Sequence, residues 1–305
     1  MGLMNSPFHI KTILIRRLFG DKDILWQLRD DVSIVSGRNG SGKSTILRLS
    51  YQLLRDGEIL DSHLQSLSEG VTIIFSNGWR VDWNKTNEPK TVVKDDGGLP
   101  VSFETLREKL WLNYVNSFEL VAKEVVNLRK DGDNGTTTLD LLIREEINKR
   151  NAIFTGALEK LFEEMSHNQT WQQVADRNPD IANFMDFYKR LSTFINSYSV
   201  LIDNRIRFRK DKDRAFDYTG LSSGEKQVLL LLLMVSNTQQ ESSVFFMDEP
   251  DLALHIRWKQ MLIKEMRAIN PNMQIIMSTH SPSVIEGWYD NVKEVNQLIV
   301  EEIGA

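Results

Sequence analysis

Gly37-Arg38-Asn39-Gly40-Ser41-Gly42-Lys43-Ser44 decides the fold. The octet fits G-x-x-x-x-G-K-[ST], a phosphate-binding loop, and its flanks agree with that reading. Residues 32–35 are a compact apolar run that predicts a buried strand. From Ser44 onward Ile46, Leu47, Leu49, Leu53 and Leu54 recur at helical spacing as far as Gly57, a natural C-cap. A strand that enters a glycine turn and opens a helix lets backbone N–H groups converge on phosphate oxygens, and the helix N-terminus adds partial positive charge. Gly37, Arg38, Asn39, Gly40, Ser41 and Gly42 then form a nucleotide cradle, continued by Thr45. Lys43 reaches for the β- and γ-phosphates, and the Ser44 hydroxyl is a ligand for Mg²⁺.

Working outward, residues 9–16 and 24–28 read as strands, and 71–75 with 79–83 as a hairpin around Ser76-Asn77-Gly78. Residues 86–100 are polar, hold Gly97-Gly98 and two prolines, and read as a loop. From 103 to 201 Glu, Lys, Leu and Phe recur every three or four residues, with breaks at Asp131-Gly132-Asp133-Asn134-Gly135 and Asn178-Pro179-Asp180. That pattern predicts several helices. Alternation of strand and helix then returns: 244–247 and 273–278 as buried strands, 256–269 as a helix. The expected organisation is a phosphate-loop core split into 1–102 and 202–305, with a helical lobe, 103–201, inserted between.

Two further motifs carry chemistry. Val244-Phe245-Phe246-Met247-Asp248-Glu249-Pro250 is an apolar strand ending in two carboxylates. Beside a phosphate loop, Asp248 is expected to hold Mg²⁺ through water and Glu249 to polarise the attacking water, because phosphoryl transfer depends on positioning and electrostatics. Leu221-Ser222-Ser223-Gly224-Glu225-Lys226-Gln227 precedes an apolar helix, so Ser222, Ser223, Gly224 and Glu225 sit at a second helix N-terminus suited to an anion. One nucleotide does not need two such sites on one chain. The economical reading is that the second site caps the γ-phosphate of a nucleotide held by another copy. The plainer reading is an N-cap with Glu225 in the first turn.

Taken in order, the phosphate loop, LSSGEKQ, FFMDEP and Ser278-Thr279-His280 resemble the ABC-type ATPase domain. LSSGEKQ, the segment Glu249-Pro250-Asp251-Leu252-Ala253-Leu254-His255 and His280-Ser281-Pro282 resemble in particular the branch shared by SMC-related DNA-repair ATPases and the ATPases of OLD-type, Septu and retron-associated antiphage systems. The resemblance covers about residues 10–288. It implies an α/β P-loop NTPase of ABC-ATPase type, with an antiparallel N-terminal sheet part and a helical lobe between the Walker A and signature motifs. It also implies ATP and Mg²⁺ as ligands and a homodimer with ATP sandwiched between copies. By the same resemblance Asp251 lies in a loop used across the dimer, His280 is the switch histidine that senses the γ-phosphate and joins Glu249 in catalysis, and Phe19 and Lys22 approach base and ribose. The chain departs from the family in one place: residues 110–118, where a glutamine is usual, offer Asn113 and Asn116 instead.

Composition narrows the function. The 305 residues carry 37 Lys+Arg against 42 Asp+Glu, a net charge of −5, which argues against a wholly basic nucleic-acid binder while permitting a local basic patch. There is no cysteine, so thiolate metal sites, disulfides and a cysteine hook are excluded. No apolar run spans a bilayer, and the first residues lack a secretory pattern, so a cytoplasmic protein without membrane attachment is expected. With 25 residues after His280, a metal-nuclease domain is not expected within these 305 residues. The expected function is therefore Mg-dependent ATP hydrolysis that regulates a separately encoded effector, a nuclease in antiphage defence. The alternatives are an SMC-like ATPase acting directly on DNA and a transporter's nucleotide-binding subunit. Arg205, Arg207 and Arg209 alternate with Ile206 and Phe208, then Lys210, Lys212 and Arg214 follow. Period two puts the arginines on one strand face, either simply solvated or meeting nucleic-acid phosphates or an acidic partner. Trp171, Phe184, Phe187 and Tyr188 are candidates for effector contact or for the lobe's own core.

Overall fold

The runs 32–35, before the phosphate loop, and 244–247, before the two carboxylates, are apolar but for Ser33, as expected of strands covered on two faces. A computed structural model of the chain, describing residues 8–87, 90–116, 137–164, 178–202 and 206–301, places them in one parallel sheet with a single strand between them. Its five strands run in the order Val292–Glu294, Val32–Ser36, Met273–Ser278, Ser243–Asp248, Trp111–Asn116, and every neighbouring pair is parallel. A second, antiparallel sheet has the order Ile299–Val300, Lys22–Gln27, Ile10–Leu18, Gly70–Phe75, Arg80–Asn84, Thr91–Lys94. The helix Lys43–Asp56 buries Ile46, Leu47, Leu49, Leu53 and Leu54 and ends at Gly57, whose φ of 76° and N–H bond to the Leu53 carbonyl make the expected cap. Its side chains join those of both sheets in one hydrophobic core.

These elements belong to the first of two compact units, residues 1–116, 241–250 and 272–305. The second unit comprises 117–240 and 251–271. The expected lobe at 103–201 therefore differs from the observed unit. The short helix Phe103–Arg107 and the strand Trp111–Asn116 lie in the first unit, the latter because it pairs with Ser243–Asp248. The signature helix Ser223–Ser236 and the helix Ile256–Ile269 lie in the second. The expected loop at 86–100 also needs correction, since Thr91–Lys94 is a strand paired with Arg80–Asn84. Thr91, Val92 and Val93 are β-branched, and three such residues suffice for an edge strand when a partner is already in place. The break at 131–135 lies outside the described residues. Asn178 caps the helix Pro179–Phe194, with Pro179 in its first turn, which explains the other break.

In the second unit the signature helix is buried nearly all round, as its leucine run requires. The helices Thr138–Glu164, Pro179–Phe194 and Ile256–Ile269 pack on it. At its C-terminal end the guanidinium of Arg150, 4% exposed, donates to the Phe184 carbonyl at 2.8 Å and to Ser236 Oγ. It lies 4.0 Å from the Phe187 ring centroid, 4.6 Å from that of Phe184 and 5.5 Å from that of Tyr188. No carboxylate pairs with it among the described residues, and burial pulls its pKa down to about 10. Aromatic faces and a helix C-terminus thus stabilise the cation. Phe187 and Tyr188 are buried, so this part of the aromatic cluster is core and unavailable as contact surface. Trp171 lies outside the described residues. Arg150→Ala should destabilise the protein by about 3 kcal/mol through lost packing and cation–π contact. Arg150→Met, which keeps the stem, should cost less than half as much. Thermal unfolding of the two variants checks this, and equal losses would show that charge rather than packing dominates.

No described helix is long and apolar enough to cross a membrane.

Candidate functional site

Parallel strands deliver their following loops to one edge of a sheet, and ligands of such sheets bind at that carboxyl edge. Here four neighbouring strands do so. The phosphate loop leaves Val32–Ser36, Glu249 follows Ser243–Asp248, His280 lies two residues after Met273–Ser278, and Asn116 ends Trp111–Asn116.

The loop's conformation requires its glycines. Gly42 has φ 106°, and a Cβ there would stand 3.0 Å from the Phe19 ring, so both backbone conformation and space demand glycine. The helix that follows has no side-chain cap and no acidic residue in its first turn, which leaves its N-terminal N–H groups for an external anion. Lys43 is 5% exposed, and its Nζ folds back onto the loop. It donates to the Gly37 carbonyl at 3.1 Å, the Arg38 carbonyl at 3.3 Å and His280 Nε2 at 2.7 Å. Burial lowers the Lys43 pKa below the ordinary lysine value, while Glu249 and Asp248 pull it up. Ser41 Oγ is buried with no hydrogen-bond partner among the described residues. It lines a cavity of about 710 Å³ formed with Gly37, Arg38, Thr279, His280 and Glu294, among others.

Asp248, 3% exposed, accepts at Oδ1 from Ser44 Oγ at 3.0 Å and from Ser278 Oγ at 2.5 Å. Asn116 Nδ2 donates to Oδ2 at 3.5 Å. Glu249 sits at φ 49°, a left-handed conformation uncommon for a residue other than glycine and found where surroundings over-determine it. Its N–H donates to the Ser278 carbonyl at 3.1 Å, and its Oε1 lies 3.3 Å from His280 Nε2. Lys43, Ser44, Asp248, Glu249 and His280 are therefore brought together. Arg38, Asn39 and Gly40 are exposed at the loop's tip, and Thr45 is half-buried in the helix behind it.

The signature segment has its own geometry in the second unit. Ser222 caps the helix Ser223–Ser236 in a capping box: the Glu225 carboxylate accepts from Ser222 N at 2.8 Å and Ser222 Oγ at 2.7 Å. Glu225 is thus turned inward as a cap. Ser222 and Ser223 are exposed, whereas Gly224 is held so close to Ala253 that a Cβ would meet its carbonyl oxygen at 2.7 Å. Lys226 forms an ion pair with Asp140 at 2.8 Å. Asp251, expected to reach across a dimer, is 3% exposed and ion-paired with Lys259 at 2.9 Å.

A protein family described as "AAA domain, putative AbiEii toxin, Type IV TA system" matches residues 132–286, just over half of the chain. The chain belongs to this AAA-domain family. The match takes in the signature, Asp248-Glu249 and His280 but stops short of the phosphate loop. Among curated relatives, "Retron Vc95 probable ATPase" of Vibrio cholerae serotype O1 biovar El Tor is 21% identical, across 88% of this chain and 69% of its own length. Septu protein PtuA of Bacillus thuringiensis is 22% identical, across 95% and 75%. Among solved structures, the Smc head bound to the C-winged helix domain of ScpA superposes with a TM-score of 0.62 at 14% identity, covering 94% of this chain and 93% of that one. The SMC head domain from Thermotoga maritima gives 0.50 at 17% identity, covering 91% of each. The fold is that of an SMC head, and this AAA-domain protein is similar in sequence to the retron ATPase and to the Septu protein.

Two residues beside the AAA-domain site were not assigned from sequence. Ser278 opens the quoted Ser278-Thr279-His280 and could have been inferred only from its strand lying next to Ser243–Asp248. Asn116 was noted for the missing glutamine, and the pairing of Asn116 with Asp248 places it at the site. Phe19 packs against Gly42, with Lys22 Nζ 6.0 Å from its ring centroid.

Proposed function

We propose that this chain hydrolyses ATP with Mg²⁺ as a head-to-tail homodimer and thereby controls a separately encoded effector, a nuclease, in antiphage defence. The observation that carries the proposal is the convergence of Lys43, Ser44, Asp248, Glu249 and His280 at one sheet edge. The residues fit a nucleoside triphosphate: the unpartnered Ser41 Oγ and the uncapped helix N-terminus supply donors where phosphates would lie. They also fit Mg²⁺, for Ser44 and Asp248 are already joined. Among the described residues no cluster of three or more His, Asp or Glu could hold a metal by itself, so phosphate oxygens and water would complete the shell. Mg²⁺ bound there neutralises phosphate charge.

In this proposal Lys43 exchanges the loop carbonyls and His280 for β- and γ-phosphate oxygens. Glu249 accepts a proton from water as the water oxygen bonds to the γ-phosphorus. The bond from that phosphorus to the β–γ bridging oxygen breaks, releasing ADP and phosphate. His280, 3.3 Å from Glu249, holds the carboxylate in place and faces the leaving phosphate. The exposed Ser222–Gly224 segment of a second copy covers the γ-phosphate.

Work by such a cycle requires a partner that binds its ATP and ADP states differently. The relatives' association with retron and Septu systems supports a defence effector. Exposed Leu141, Phe162 and Met185 on the lobe helices offer it apolar contact. Native mass spectrometry of the tagged protein from its own host, with and without a slowly hydrolysed ATP analogue, should show a complex with a nuclease whose abundance changes with nucleotide. A bare homodimer under both conditions would refute effector control.

A further inference from the structure

Ser278 is fully buried at the last position of Met273–Ser278, a strand covered on both faces, where apolar side chains are the rule. Its surroundings follow from register. In the parallel sheet Asp248 lies opposite Ser278 on one side and opposite Asn116 on the other, so the three share one face. Two residues earlier on that face, Phe246 lies between Ile276 and Tyr114. Tyr51 of the helix Lys43–Asp56 packs on this apolar row, its ring centroid 4.8 Å from that of Tyr114 and 6.2 Å from that of Phe246. Ser44 precedes Tyr51 by about two helical turns and so comes down on the polar row, where it meets Asp248.

The Ser278 hydroxyl serves Asp248 and Glu249 at once. It donates to Asp248 Oδ1 at 2.5 Å and accepts the Glu249 N–H at 3.3 Å. The Ser278 carbonyl accepts the same N–H at 3.1 Å. Asp248 Oδ1 is therefore held by two hydroxyls, those of Ser278 and Ser44, whereas Oδ2 has Asn116 Nδ2 at 3.5 Å, the far limit of a hydrogen bond. Fixing one carboxylate oxygen orients the other. The bond to Glu249 acts at a left-handed backbone, φ 49°, and so sets the origin of the side chain that faces His280. Alanine would fit the same space and need no hydrogen bond, so burial alone does not call for serine. The carbonyl bond survives any substitution at 278, and the strand should keep its place.

We propose that Ser278 is a positioning residue of the ATPase site: its hydroxyl orients the Asp248 carboxylate for Mg²⁺ and pins the Glu249 backbone for water activation. This role rests on the Mg-dependent hydrolysis proposed above.

Two measurements on the full chain test it: ATP hydrolysis, and equilibrium binding of a slowly hydrolysed ATP analogue with Mg²⁺ or with EDTA, which needs no turnover. Ser278→Ala should lower kcat by about 10- to 100-fold and reduce the Mg²⁺-dependent gain in analogue affinity by about 10-fold, as when a bond orienting a metal-binding carboxylate is lost. Affinity in EDTA should stay within about 2-fold, because the loop N–H groups that meet phosphate are untouched. Ser278→Thr keeps the hydroxyl and suits a strand, so kcat should return to within about 3-fold of wild type. In a Glu249→Gln background Ser278→Ala should lower kcat by less than about 3-fold further, since the group it positions for water is gone, yet still reduce the Mg²⁺-dependent gain. Ser278→Ala matching wild type in both measurements would overturn this role alone. So would equal loss of analogue affinity with and without Mg²⁺, which marks a fold defect, or a Ser278→Thr protein that unfolds thermally like wild type but is as impaired as alanine. A wild type that hydrolyses no ATP at any Mg²⁺ concentration would instead overturn the hydrolysis itself, and this role with it.

Discussion

Glu249→Gln should reduce ATP hydrolysis by about 10²- to 10⁴-fold, the range ascribed to a positioned general base, and leave ATP binding intact. The substitution preserves shape. The Glu249 backbone is fixed at φ 49° by its N–H bonds to Ser278, and glutamine can occupy that place with the same strain. What disappears is the capacity to take a proton from water. The carboxylate's contacts with the His280 N–H and ring, both at 3.3 Å, can be partly replaced by an amide, so the phosphate loop should keep its form. The variant should therefore collect as an ATP-bound dimer, seen as a nucleotide-dependent rise in light scattering alongside normal equilibrium ATP binding. Hydrolysis at the wild-type rate would remove Glu249 from the chemistry and leave His280 or Asp248 to account for water activation.

The sequence made local structure legible wherever short-range chemistry dictates it. The phosphate loop and its helix, the hairpin around Ser76-Asn77-Gly78 and the helix start at Ser222 are each specified within about ten residues by turn glycines, caps and periodicity. The site was legible as motifs but not as neighbours. That Asn116 and Ser278 both touch Asp248 follows from the strand order, which depends on tertiary pairing across more than a hundred residues for Asn116 and thirty for Ser278. The same distance effect hid the partition of the chain. Residues 251–271 follow the Ser243–Asp248 strand after two intervening residues yet pack with the helix Ser223–Ser236, because the Ile256–Ile269 helix buries Leu262, Ile263 and Met266 in that unit. The Thr91–Lys94 strand was obscured by its setting, a short β-branched run within a polar stretch. Arg150 gave no signal at all, since an arginine in a charged helix ordinarily faces water.

Lys43→Ala alone should lose about 100-fold or more in ATP affinity, because two or more hydrogen bonds from a cation to phosphate oxygens vanish at once. Its consequence for the dimer is clearer when it is mixed with Ser223→Arg. Ser223 is exposed at the first position of its helix, so an arginine there should not disturb the fold, whereas any side chain at Gly224 would strike the Ala253 carbonyl. Ser223→Arg should bind ATP and fail to hydrolyse it, since the bulk lies where a second copy's γ-phosphate would sit. In a mixture each hybrid dimer contains one composite site with both defects and one with neither. The intact site takes its phosphate loop from the Ser223→Arg chain and its signature from the Lys43→Ala chain. Random pairing of equal amounts should restore about a quarter of the wild-type sites, half of the dimers with one good site each. Single-turnover phosphate release detects one working site without requiring the two to alternate. Release near this level from two inactive proteins has no explanation within a single chain. Its absence, with hybrid dimers demonstrated by differently tagged subunits, would mean that the signature acts on its own chain or not at all.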